Sequence, residues 1–126
     1  MNIPRLYAIV FGVVYTIVGL LGFTVSTSLA TANLIIFPVN LPHNLVHLAF
    51  GLAGIAAFMT GRSVAYARGA AVLFAVLALA GFLPQPLLGL VPLGGYDIAL
   101  HAATAVLAAI AGFAYMGSRS TRREVA

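Results

Sequence analysis

The sequence predicts an all-α membrane protein, with four transmembrane helices in an up-down-up-down bundle built from two parallel helical-hairpin repeats. Three observations lead there. Of the 126 residues, 63% are hydrophobic and 6% charged, with a mean hydropathy of +1.12, whereas a soluble domain carries roughly a quarter charged residues. A surface so poor in charge calls for lipid as its solvent. Four stretches, about 5–25, 43–60, 64–83 and 96–117, reach the ~20 mostly apolar residues that a spanning helix needs. They leave no room for a soluble domain, so residues 1–126 read as one four-helix transmembrane domain with a basic tail at 118–126. Finally, the two halves of the chain match each other.

The elements follow in order. The first span carries Gly12, Gly19 and Gly22 with Tyr15 on one face, a small-residue stripe suited to close helix packing. Its apolar run, followed by "SLATA", has the outline of a cleaved leader, but it is long for one and reads as a real span. Residues 26–40 are apolar for a loop and are expected in the outer interface, where protein must cover their backbone. Pro42 suits the first turn of the second span, with Asn40 or Asn44 near its cap. "TGRS" at 60–63 is a short turn. Arg68 lies one turn into the third span, where it is expected to snorkel to lipid phosphate. The segment "LPQPLLGLVPLGGY" (83–96) holds three prolines and three glycines and reads as a loop, not a fifth span. Tyr7, Tyr66, Tyr96 and Tyr115 fall near span ends, as interfacial anchors do.

Charge sets the orientation. All six basic residues are arginines: Arg5, then Arg62 and Arg68, then Arg119, Arg122 and Arg123. With four spans these groups share one side, whereas residues 26–42 and 84–95 carry no charge. The positive-inside rule therefore puts both termini in the cytoplasm. The net charge of +4 follows from this topology, and no nucleic-acid partner is expected. The absence of cysteine excludes disulfides, thiolate metal sites, iron–sulfur clusters and c-type haem attachment.

The repeat sets residues 5–23 over 64–82 without a gap. Tyr7/Tyr66, Ala8/Ala67, Val13/Val72, Leu20/Leu79, Gly22/Gly81 and Phe23/Phe82 coincide. "HNLVHLAFGLAGIAAF" (43–58) likewise lies over "DIALHAATAVLAAIAGF" (97–113), so His43 corresponds to Asp97 and His47 to His101. Both first helices run outward and both second helices run inward. Such parallel halves are related by a pseudo-two-fold axis along the membrane normal.

These four residues are the candidate site. Positions i and i+4 share a helix face, so His43 and His47 stack on the second span, and Asp97 and His101 on the fourth. Below them run Gly51, Gly54 and Phe58 on one helix and Ala105, Ala108 and Gly112 on the other. Small residues at that spacing turn these faces inward. Ionisable groups inside a membrane protein point to a functional site. Three imidazoles and a carboxylate suit a divalent transition metal such as zinc. The plainer reading makes the same residues helix caps, dipole partners and interhelical hydrogen bonds. A b-type haem with His47 and His101 as axial ligands is a third, disfavoured by short helices and shallow placement. No serine has a visible base partner, and no phosphate loop or HExxH occurs, so an enzyme is not expected.

The block "N-x-x-HNLVHLAFG" opening the second span, "YAR" with a following "GF" on the third, and "D-x-x-x-H" opening the fourth carry a resemblance. They resemble the small four-helix bacterial membrane proteins grouped as domain of unknown function four-three-eight-three. The polar signature falls on Asn40, His43, Asn44, His47, Asp97 and His101, with Ile98 where a polar residue is expected. The resemblance implies the four-span fold and a multi-pass protein of the bacterial plasma (inner) membrane, and it leaves activity open. Two functions of different class follow. One is a lipid-embedded protein binding a metal or small ligand at the His/Asp cluster. The other is a non-catalytic accessory or packing subunit, as a homo-oligomer or within a larger membrane complex. A small transporter would need an oligomer to enclose a path.

Overall fold

The computed structural model describes residues 1–114. Its elements are α1 (Ile3–Gly22), β1 (Ala32–Leu34), β2 (Phe37–Val39), α2 (Leu41–Thr60), α3 (Ser63–Ala80) and α4 (Tyr96–Ala109), with α4 running on into a π-helical turn, Ile110–Ala114. Four helices are each long and apolar enough to cross a membrane. Residues 115–117, Tyr115 among them, and the tail 118–126 lie outside the described residues.

The helices begin and stop where local chemistry says they should. Asn2 accepts from the Arg5 N–H at 3.0 Å, and Asn40 accepts from the His43 N–H at 3.1 Å. Each satisfies an N–H that the first turn leaves without a carbonyl. Pro4 and Pro42 occupy the first turns that follow. Gly61, at φ 72°, closes α2 in the left-handed region, where a residue without Cβ meets no penalty. The third helix ends at Ala80, three residues before the expected end. Pro84 disfavours helical geometry at Leu83, and residues 81–83 form a looser turn.

Packing divides between two chemistries. Helices α1 and α2 meet through glycine: a Cβ on Gly12 would fall 2.8 Å from the Ile55 nitrogen and 3.0 Å from the Gly51 oxygen, and one on Gly19 would fall 2.8 Å from the Leu48 nitrogen. Backbone touches backbone there. Helices α3 and α4 meet through alanine, with Ala67, Ala70, Ala71, Ala105, Ala108 and Ala111 all buried. Between the two hairpins lies an aromatic centre. Tyr15, Phe50 and Phe74 have ring centroids 4.6–5.2 Å apart, at the angled geometries that aromatic quadrupoles prefer. Outward faces carry exposed aliphatics such as Leu6, Val10, Ile17, Leu52, Val72 and Val76.

Several expectations are corrected. Tyr7 and Tyr66 are not interfacial anchors. Tyr7 is 5% exposed and stacks on Phe11, and the Tyr66 hydroxyl donates to the Phe50 carbonyl at 3.0 Å. A phenol turned into a helical bundle needs such a partner. Tyr96 is 65% exposed. Arg68 does not reach outward alone. Its Nε donates to the Gly112 carbonyl at 2.9 Å and its guanidinium lies 5.1 Å from the Phe113 ring centroid, a cation set against the carbonyl-rich end of α4. Residues 26–40 are not wholly irregular: β1 and β2 pair as an antiparallel hairpin. Phe58 is only half-buried, and Ala57 takes its place on the inner stripe.

Candidate metal centre

The site forms at the end of the bundle where α2 and α4 begin, opposite the end that carries Arg5 and Arg62. Two consecutive turns of α2 project His43 and His47 inward, and two of α4 project Asp97 and His101. All four are buried, at 1%, 3%, 0% and 1% exposure respectively. His43 Nε2 is 2.9 Å from His47 Nε2 and 3.3 Å from Asp97 Oδ2. Asp97 Oδ2 is 3.7 Å from His101 Nε2. A donor nitrogen from each of the three imidazoles lies within 4.8 Å of the other two, and Asp97 abuts two of the three.

These groups lack the partners that burial normally demands. The Nδ1 atoms of His43, His47 and His101, Nε2 of His101 and both oxygens of Asp97 have no hydrogen-bond partner among the described residues. Buried polar atoms are nearly always paired, and an unmade bond of this kind costs about 1–3 kcal/mol. Each ring offers an ion one nitrogen, so the atoms among these that a bound ion would satisfy are Nε2 of His101 and the Asp97 carboxylate beside it. A tetrahedral ion with ligand bonds of ~2.0–2.2 Å has donor–donor edges of roughly 3.3–3.6 Å. Three of the six donor–donor distances, 2.9, 3.3 and 3.7 Å, lie around that edge, and the histidines' donor nitrogens all lie within 4.8 Å of one another. The donor set, neutral imidazole plus a single carboxylate, is one that zinc and its neighbours accept.

The surroundings hold the donors in place. Tyr15 meets His47 edge-on at 5.1 Å between centroids, and Phe74 lies 5.3 Å from His101. Tyr15 is itself fixed: the Thr104 hydroxyl donates to the Leu100 carbonyl at 2.8 Å, so the Tyr15 hydroxyl donates to Thr104 Oγ1, also at 2.8 Å. Asn40 ties the roof together. Besides capping α2, its Nδ2 donates to the Leu29 carbonyl at 3.2 Å and to the Leu90 carbonyl at 2.6 Å, one from each connection at this end. Asn44 donates to the Ser26 carbonyl at 3.0 Å, and Gly22 leaves the space its side chain fills. Gln85 pins the other connection, accepting from the Leu93 N–H at 2.7 Å and donating to the Ala80 carbonyl at 3.0 Å.

A cavity of about 120 Å³ adjoins the imidazoles, roofed by Leu87, Val91 and Leu93 of the 81–95 connection. It is well below the roughly 300 Å³ at which cofactor pockets begin. Bis-imidazole ligation of a haem between α2 and α4 would require those helices to part. Capping is likewise not the histidines' task, since Asn40 does it for α2 and no side chain caps α4. The interhelical contact from His43 to Asp97 is real.

All four sequence-expected site residues converge. What sequence reasoning missed is the cover: Leu87, Val91 and Leu93, and the role of Asn40 as a strap over both connections. The signal was present in an uncharged loop of leucine, valine, proline and glycine, whose apolar side chains had to bury against something.

A family model described as Domain of unknown function (DUF4383) matches residues 5–114, so the chain belongs to that family. No curated protein and no solved structure matches it.

Proposed function

We propose that this DUF4383 protein is a multi-pass protein of the bacterial plasma membrane that holds one divalent transition metal, zinc fitting best, on His43, His47, His101 and Asp97. The reading makes it a binding protein rather than an enzyme. The observation that carries it is the convergence of three buried imidazoles whose donor nitrogens lie within 4.8 Å of one another, with the Asp97 carboxylate 3.3 and 3.7 Å from two of them. Both termini are cytoplasmic in this reading, supported by arginines at one end of the bundle and uncharged connections at the other. The metal then lies near the outer face. The two hairpins are parallel repeats, supported by the matching placement of His47 and His101 beneath His43 and Asp97.

Metal analysis of protein purified in detergent tests this. One equivalent in the wild type, lost in His47→Ala, is expected. A second reading rests on the His43–Asp97 contact across α2 and α4: a packing or accessory subunit whose histidines join helices. Metal-free protein, with stability unmoved by zinc, copper, nickel or iron between pH 6 and 8, would leave that reading in its place.

A further inference from the structure

At the opposite end of the bundle, α1 and α3 begin side by side around an open cleft of about 290 Å³. It is lined by Asn2, Pro4, Arg5, Gly61, Ser63 and Val64. Each helix start carries the positive end of a macrodipole, with N–H groups that have no intrahelical acceptor. Asn2 partly satisfies α1. Helix α3 is different. Arg62 stands in its cap position without making a side-chain cap, and the next backbone bond is from the Tyr66 N–H to the Arg62 carbonyl. The N–H groups of Ser63, Val64 and Ala65 are left over.

Ser63 points the same way by an independent route. Ser63 is one of the residues lining the cleft, it is 3% exposed, and its Oγ has no hydrogen-bond partner among the described residues. A buried hydroxyl without a partner is uncommon. Arg5 also lines the cleft, and its guanidinium carbon lies 4.5 Å from the Phe58 ring centroid, a contact that leaves its N–H edge to other acceptors. Among the described residues the one carboxylate is Asp97, at the far end of the bundle.

We propose that this cleft binds a phosphate group, received by the free N–H groups at the start of α3, the Ser63 hydroxyl and the Arg5 guanidinium. Helix N-termini with adjacent hydroxyl and arginine donors suit a phosphate oxygen on both charge and geometry. Two sources present that chemistry: the headgroup of an anionic phospholipid and free inorganic phosphate. The lipid source fits a cleft at headgroup level and rests on the membrane reading. The free-phosphate source does not.

The full chain in nanodiscs separates them. Native mass spectrometry after release from mixed phosphatidylglycerol/phosphatidylcholine discs counts retained phosphatidylglycerol. Thermal unfolding in pure phosphatidylcholine discs, with inorganic phosphate added, reads the free anion. Retained phosphatidylglycerol without a phosphate effect supports the lipid source, and a phosphate-dependent rise in melting temperature supports the free anion. In either case Arg5→Gln or Ser63→Ala should weaken binding roughly tenfold. Ser63→Ala should leave the melting temperature without ligand unchanged, because the lost hydroxyl had no partner. Arg68→Gln, whose side chain is engaged with Gly112, should bind as wild type. The proposal is overturned if neither probe binds, if Ser63→Ala and Arg5→Gln bind as wild type, or if Arg68→Gln weakens binding as much as they do.

Discussion

Replacing Asp97 by asparagine should stabilise the metal-free protein and shrink the stabilisation that metal adds. Without metal, both Asp97 oxygens are buried and unpartnered, with His43 Nε2 at 3.3 Å and His101 Nε2 at 3.7 Å. Leaving a buried polar group unsatisfied costs about 1–3 kcal/mol, and more for a charge. An amide of the same shape removes the ionisable group and offers an N–H toward His43. Asp97→Asn should therefore stabilise the chelator-treated protein by about 1–3 kcal/mol. With metal that gain is offset. Losing a carboxylate that only supports a site lowers affinity ~10–100-fold, and losing a ligand should do at least that. At a zinc concentration of 100 times the wild-type Kd, the wild type gains about 2.7 kcal/mol. A variant bound 100-fold more weakly gains about 0.4 kcal/mol under the same conditions. Thermal unfolding in detergent, once with chelator and once with zinc, reads both. A variant that melts below the wild type in chelator, yet shows the full zinc shift, would refute the reasoning.

Four further outcomes are expected. Gly12→Ala should cost about 1–3 kcal/mol by overpacking, since its Cβ would meet α2 backbone at 2.8–3.0 Å, whereas Gly69→Ala, with nothing within 4 Å, should gain about 0.5–1 kcal/mol; both are read by denaturant unfolding. Asn40→Ala should lose about 0.5–2 kcal/mol for the cap, and should speed hydrogen exchange at residues 29 and 90 by releasing both straps. A cysteine at Ser28 should label from outside intact cells and one at Thr60 should not, and the reverse pattern would invert the proposed orientation. Bound zinc should be released as pH falls from 7.5 toward 5, with proton uptake measurable in weakly buffered solution, because imidazole ligates only when neutral.

Much of the fold was legible because a bilayer imposes simple rules. Length and apolarity marked four helices, and the ends of α2 followed from Asn40, Pro42 and the turn at 60–63. The candidate site was legible for a related reason: in a chain with two acids and three histidines, i,i+4 spacing beside small-residue stripes leaves few places for polar groups to face. The tyrosines were harder. Tyr7 and Tyr66 sit near helix ends in sequence, but the partners that draw them inward, Phe11 and the Phe50 carbonyl, depend on how α1, α2 and α3 cross. Arg68 is similar, since its acceptor at Gly112 is 44 residues away. The β-hairpin at 32–39 gives no strong turn signal. Ile35, in its turn, has φ 60°, a conformation that a β-branched residue seldom adopts.

The proposed repeat and the proposed site account for one another. If the hairpins are related by an axis along the bundle, residues on that axis come in pairs, and the pairs here are His43 with Asp97 and His47 with His101. A symmetric ancestor with histidine at all four places would hold a divalent cation in a neutral cage and leave two positive charges uncompensated in a buried setting. Aspartate at one place keeps a donor at the same depth and removes one of those charges. The asymmetry at 43 and 97 is then what a buried cation requires, whereas a purely structural pair has no such need. Superposing α1–α2 on α3–α4 gives the test: His47 should fall on His101, and His43 on Asp97, with both hairpins running the same way. A best fit that inverts one hairpin would break the link between repeat and site, and would leave the metal reading to stand on donor spacing alone.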